Sequence, residues 1–161
     1  MSVLTVFYSR TGTTKNVAES ILRALSCDIE EIIDTKNRTG PLAYIASGRE
    51  ARKKKLAVIQ PVKKNPQLYD VVVIGTPIWA GTMATPVRTY ISQNKEHFKK
   101  VAFFCTCGGT DADRTFEAMK DLCEKEMIAS LAIRTKETKN EEHLQKIDAF
   151  VNTIKTATSS P

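Results

Sequence analysis

The sequence lacks the marks of a metal site, a disulfide framework or a membrane span. Its four cysteines, Cys27, Cys105, Cys107 and Cys123, include no CxxC pair and no zinc-ligand spacing. All four are read as reduced thiols, with Cys105 behaving as a small apolar side chain. The longest apolar runs are only of strand length, so no segment is expected to cross a bilayer. No basic start or small-residue cleavage site opens the chain: Met1-Ser2 leads straight into Val3-Leu4-Thr5-Val6-Phe7, which favours the cytoplasm. Neither GxxxxGK nor GxGxxG occurs, and tryptophan appears once, at Trp79.

What is present fits a single ordinary domain. The 161 residues are 42% hydrophobic and 26% charged, enough for one sizeable core. The domain is expected to run over residues 1–155, with a small, polar tail at 156–161 that frays. The net charge of +6 is concentrated: from Lys36 to Lys64, nine Lys or Arg face only Glu50. The rest of the chain carries a net −2. A nucleic-acid coat would spread its cations and interleave them with aromatics, so nucleic acid is not an expected partner. A solvated face is the simplest reading of this basic segment; contact with an acidic surface is the other.

Strand-like and helix-like patterns alternate five times. Val3 to Tyr8 reads as a buried strand, followed by a helical stripe at Val17, Ile21, Leu22 and Leu25. Ile29 to Ile33, with its interleaved acids, suits an edge strand. The span from Leu42 to Lys55 reads as a basic helix. The β-branched run Val71-Val72-Val73-Ile74 predicts a central strand ending at Gly75. Thr85-Pro86 reads as a helix start with Thr85 as cap. Val101 to Cys105, a stripe from Phe116 to Met127, a short strand Leu131 to Ile133 and a last helix through Ile154 complete the series. The expected fold is α/β: a doubly wound five-stranded parallel sheet with helices on both faces. Ligands of such sheets lie beyond the carboxyl ends of the strands, where strand order reverses. That points to three loops: Ser9–Thr14, Thr76–Met83 and Thr106–Asp113.

Each loop carries two readings. In the first, Gly12 lets backbone approach a ligand, the hydroxyls donate, and the helix starting near Thr13 or Thr14 offers unpaired amides to a phosphate. The plainer reading is a polar turn that caps a helix. In the second, Trp79 beside Pro77 and Gly81 suits stacking on a planar ring, or else ordinary core packing. In the third, Gly108-Gly109 is either a close backbone approach or a plain turn, with Asp111 or Asp113 capping the next helix. The meeting of all three loops at one sheet edge favours the ligand readings.

On these residues the chain resembles the flavodoxin family. Ser9-Arg10-Thr11-Gly12-Thr13-Thr14 looks like its phosphate loop, and Gly75-Thr76-Pro77-Ile78-Trp79-Ala80-Gly81 is similar to its aromatic flavin loop. The resemblance covers nearly the whole chain, in the short form of the family. Strand order 2-1-3-4-5 and FMN at the switch point are known properties of that fold rather than deductions from these residues. The resemblance implies that Ser9, Arg10, Thr11, Gly12, Thr13 and Thr14 surround the FMN phosphate. It implies that Thr76, Pro77, Ile78, Trp79, Ala80 and Gly81 line the isoalloxazine. Cys107, Gly108 and Gly109 would then supply backbone donors to its pyrimidine edge. The flavin carries the redox chemistry, and a carbonyl near Ala80-Gly81 would rotate toward its N5.

Two departures divide the implied functions. Many carrier flavodoxins have a tyrosine after the third loop, whereas Thr110-Asp111-Ala112-Asp113-Arg114 holds no aromatic before Phe116. Carriers are also usually acidic, and this chain has a basic segment. The first expectation is a redox protein passing electrons between protein partners. The alternative is an FMN-dependent NAD(P)H:quinone-type oxidoreductase, with Arg10 and Arg38 near a small planar or anionic substrate.

Overall fold

In the computed structural model, residues 1–109 and 111–159 are described. Five parallel strands form the sheet: β1 (Val3–Phe7), β2 (Asp28–Glu31), β3 (Val71–Trp79), β5 (Lys100–Cys107) and β6 (Met127–Arg134). A two-residue strand β4 (Thr82–Met83) folds back antiparallel on the end of β3. The order is β2-β1-β3-β5-β6, with β4 attached only to β3. Counting the parallel strands alone, this is the expected 2-1-3-4-5, and the acid-laden β2 takes the expected edge.

Five helices cover the faces: α1 (Thr13–Leu25), α2 (Pro41–Arg52), α3 (Thr85–Asn94), α4 (Ala112–Cys123) and α5 (Glu142–Ser159). Alternation along each strand divides the core into two layers. Val3, Phe7, Val71, Val73 and Phe104 point toward α1 and α5, where Val17, Ile21, Phe150 and Ile154 meet them. Leu4, Val6, Val72, Ile74 and Phe103 point the other way, toward Val87, Tyr90, Phe116 and Met119 of α3 and α4.

Several expected boundaries move, each for a local reason. Strand β3 runs to Trp79 rather than stopping at Gly75, and with β4 it leaves only Ala80 and Gly81 of the expected second loop outside a strand. Pro77 is tolerated there because β1 pairs only as far as Gly75, and the Gly75 carbonyl takes the Tyr8 amide at 3.2 Å. Two residues on, the missing Pro77 N–H faces the side on which β1 has already ended. The last strand has eight residues instead of three, its small residues having hidden the inward series Ala129, Leu131, Ile133. The N-cap of α3 is Ala84, not Thr85, and the Ala84 amide is held by Thr76 Oγ1 at 3.0 Å. The residues expected to fray from Thr156 instead continue α5 to Ser159; Ser160 and Pro161 lie outside the described residues.

Gly75 is set by packing. It lies opposite Phe104 in the β3–β5 register, and a Cβ placed on it would sit 2.0 Å from the fully buried Phe104 ring. Gly75→Ala is expected to cost about 2–3 kcal/mol in urea denaturation, as overpacking does. Adding Phe104→Leu should recover part of that loss; a double variant no more stable than the single would refute the ring contact as the cause.

Candidate functional site

The first turn of α1 forms a cradle. Its N-cap is Gly12, held at φ 94°, and no side chain caps the helix. Ser9 Oγ accepts the Gly12 amide at 3.1 Å, bending the loop back on itself. A helix satisfies none of its first amides internally, so those of Thr13, Thr14 and Lys15 are left for an external acceptor. A Cβ on Gly12 would meet nothing within 4 Å, so the space in front of the loop is open. The hydroxyls cluster at this helix start without capping it. Thr14 is anchored sideways by a buried hydroxyl pair with Thr106 at 2.7 Å.

Beyond the cradle lies a small cavity of about 150 Å³, lined by Arg10, Thr11, Thr13, Thr14, Tyr44, Pro77, Ile78, Trp79, Thr106, Cys107, Gly108 and Thr135. Among the described residues no carboxylate lines it. The three predicted loops do meet there. Thr76 does not join them: it is buried, its hydroxyl occupied by the Ala84 amide and the Pro77 carbonyl.

Trp79 ends β3 and is 5% exposed. Its ring meets Tyr8 edge-on at 5.5 Å, and the Arg10 and Arg38 guanidinium groups each lie 5.3 Å from its centroid. Arg10 also covers Tyr44 at 4.5 Å. Both cations therefore lie over the indole on which a planar ligand would stack. Among the described residues Arg10 has no carboxylate partner, so it is the one able to move.

Ala80 and Gly81 form the turn between β3 and β4, with φ of 48° and 79°. Two positive φ values in a two-residue hairpin define a type I′ turn. Rotating its central peptide would give a type II′ turn, whose first position is open essentially to glycine alone. Ala80 occupies that position. The expected carbonyl rotation is therefore resisted by the Ala80 side chain.

In the third loop, the amides of Gly108 and Gly109 have no acceptor among the described residues, and a Cβ on either would meet nothing within 4 Å. The Cys107 carbonyl is taken by Thr135, and its thiol donates to the Gly109 carbonyl at 3.4 Å. Burial pushes the Cys107 thiol up, so it stays neutral and brings no charge to the cavity. All four cysteines are free. Asp111 is the N-cap of α4 by position but caps with no side-chain bond, and Phe116 is buried in the core instead of covering the loop. Thr110 lies outside the described residues.

Arg38 is not the available cation the sequence suggested. It is 5% exposed, pairs through Nε with Asp34, and donates from Nη1 to Glu50 at 2.7 Å and to Ser47 at 3.1 Å. Lys36 reaches the same Glu50 carboxylate at 2.6 Å. Sequence reasoning also passed over Tyr44, Thr106 and Thr135 as lining residues. Tyr44 had a signal, being the one aromatic between Lys36 and Lys64.

A doubly wound sheet with an uncapped helix start at its switch point is the arrangement in which many α/β proteins hold nucleotides and phosphates. The family model described as Flavodoxin matches residues 2–148, and the chain belongs to the flavodoxin family. No curated protein matches it. Among solved structures, a flavoprotein from Lactobacillus acidophilus NCFM in complex with FMN is 23% identical, with a TM-score of 0.72 over 86% of this chain and 96% of its own. Oxidised flavodoxin 2 from Bacillus cereus is 17% identical, with a TM-score of 0.65 over 98% and 99%. An NADH:FMN oxidoreductase in apo form is 12% identical, with a TM-score of 0.64 over 100% and 92%. At these identities the likeness is one of fold. Among the described residues, no helix is long and apolar enough to cross a membrane.

The Arg38 cluster makes the wall of this site sensitive to acid. Hydrogen bonds from Lys36, then Arg38, hold the Glu50 carboxyl below its ordinary value. A lowered carboxyl contributes stability that is complete above its unfolded pKa and is lost as pH falls through the folded one. The stability gap between the protein and Glu50→Gln should therefore be full at about pH 6 and shrink below about pH 4.5 in urea denaturation. A gap that stays constant to about pH 3 would show that the pair contributes nothing through charge.

Proposed function

We propose that this chain is an FMN-binding, cytoplasmic redox protein that transfers electrons between protein partners, with residues 1–155 as its flavin domain. The observation that carries the reading is the first turn of α1, whose amides face open space with no side-chain cap. The residues present fit the group: hydroxyls, amides and a neutral thiol line the cavity, and no acid opposes a phosphate. When bound, FMN supplies the ring that takes up and releases electrons.

The chain's own residues supply the rest. Thr11, Gly12, Thr13 and Thr14 hold the phosphate by amide and hydroxyl, and the Ser9 and Thr106 contacts fix the loop and the helix start. Gly108 and Gly109 turn free amides toward the ring's polar edge. The neutral Cys107 adds no counter-charge there, which disfavours a reduced anionic ring. Arg10 leaves the Trp79 face to admit the ring. Arg49, Arg52, Lys53, Lys54 and Lys55, all exposed, offer a cationic face to an acidic partner in a salt-dependent encounter.

One observation favours the second reading, an FMN-dependent NAD(P)H:quinone-type oxidoreductase. A groove of about 730 Å³ runs beside the cradle, lined by Arg10, Thr11, Arg38, Pro41, Tyr44 and Ile45, and would admit a small planar molecule. Anaerobic mixing with NADH and NADPH separates the two. A carrier is reduced slowly by either, whereas an oxidoreductase is reduced rapidly and passes the electrons to a quinone.

The phosphate cradle is tested by flavin titration. FMN is expected to bind at least about 100-fold more tightly than riboflavin, which lacks the phosphate. Gly12→Ala, strained at φ 94°, should weaken FMN by about tenfold and leave riboflavin unchanged. Equal affinity for the two flavins would place the phosphate elsewhere.

A further inference from the structure

A second, larger cavity lies on the other side of the Ala80–Gly81 turn and shares no lining residue with the first. Its volume is about 700 Å³, within the range of small-molecule sites. Arg52 and Lys54 reach it from the end of α2, Arg88 from α3, and Arg114 and Asp121 from α4. Ala51, Ala80, Ala118 and Leu122 give it an apolar wall. Four cations thus face one carboxylate, and none of these five groups forms an ion pair among the described residues. Asp111 lies against Gly81 without lining the cavity.

Arg88 is the unusual member. Exposed arginines at a helix end are ordinary, and Arg52 and Lys54 alone would be a solvated face favoured by the α2 dipole. Arg88 is 7% exposed, its Nε is buried without a partner, and its single side-chain bond is a long one from Nη2 to Thr82 Oγ1 at 3.3 Å. A charge removed from water without a counter-charge destabilises the fold. An arginine held this way is preorganised for an anion that arrives from outside.

We propose that this cavity binds an organic diphosphate, with Arg88 and Arg114 on the phosphates and the Ala118–Leu122 wall against the organic body. The charge surplus of three suits an anion of two to three charges, and planar guanidinium forks match phosphate oxygens in pairs. The concave shape suits a small ligand better than a protein surface. No residue of the phosphate cradle takes part in it, and the Ala80–Gly81 turn is the one element it shares with the flavin reading.

Isothermal titration of the flavin-loaded protein with ADP, inorganic pyrophosphate and adenosine tests it. Both diphosphates should bind, more weakly as salt rises, and adenosine should give no heat. ADP binding more tightly than pyrophosphate identifies a nucleotide-borne diphosphate; equal affinities identify the free anion. Arg88→Met should weaken ADP by at least about tenfold and leave flavin content unchanged. It should also raise the melting temperature of the ligand-free protein, where loss of a merely structural arginine would lower it. Arg114→Ala, on an exposed helix face, should weaken ADP by about threefold to tenfold without affecting the fold. The proposal is overturned by silence with both diphosphates at about millimolar concentration, by ADP affinity unchanged in Arg88→Met, or by poly-glutamate binding where neither diphosphate does.

Discussion

The site rests on the unpaired amides at the start of α1. A helix start leaves donors unsatisfied, and proteins normally close them with a side-chain oxygen. Here two of the nearby hydroxyls are turned to other work. Ser9 takes the Gly12 amide, and Thr14 pairs with Thr106 on a strand two places away in the sheet. The loop is thereby made rigid while its helix end stays open, and anion binding needs that combination.

Rigidity at the cradle depends on the sheet beneath it. β1 and β5 flank β3, so the three loops meet only if all three strands keep register. Gly75 and Phe104 lock β3 to β5 at the level where β1 ends, with the ring lying where any other residue would place its Cβ. Just beyond, Pro77 and the tight β3–β4 hairpin carry the chain back over the sheet to present Trp79 and the Ala80–Gly81 turn. Packing under the site and geometry within it are consecutive stretches of one strand.

The fold was legible because its signals were periodic. The β-branched run at Val71–Ile74 marked the central strand, the acids of the second strand marked an edge, and alternation of strands and helices fixed the sheet type. The cradle was legible because hydroxyls, a glycine and a helix start coincide within a few residues. What escaped depended on long-range partners. Thr76 looks the same in sequence whether its hydroxyl faces a ligand or holds the Ala84 amide eight residues on. The extension of β3 through Pro77 depends on where another strand stops. Gly75 read as the end of a strand, although it is a space reserved for a ring nearly thirty residues away.

The arginines carry this point furthest, since one residue type meets three fates on the two sides of the Ala80–Gly81 turn. Arg38 is neutralised in place by Asp34 and Glu50, and so serves as wall. Among the described residues Arg10 has only aromatic faces as partners, which hold a cation more weakly than a carboxylate, so it can yield to a flat ligand. Arg88 is buried much as Arg38 is, yet it has neither a carboxylate nor an aromatic face as partner among the described residues. Burial without compensation lowers stability, and among the described residues Arg88 has only the long bond to Thr82. The anion proposed for its cavity would supply that compensation. On the side of the Ala80–Gly81 turn facing away from the cradle, the surrounding cations define its sign.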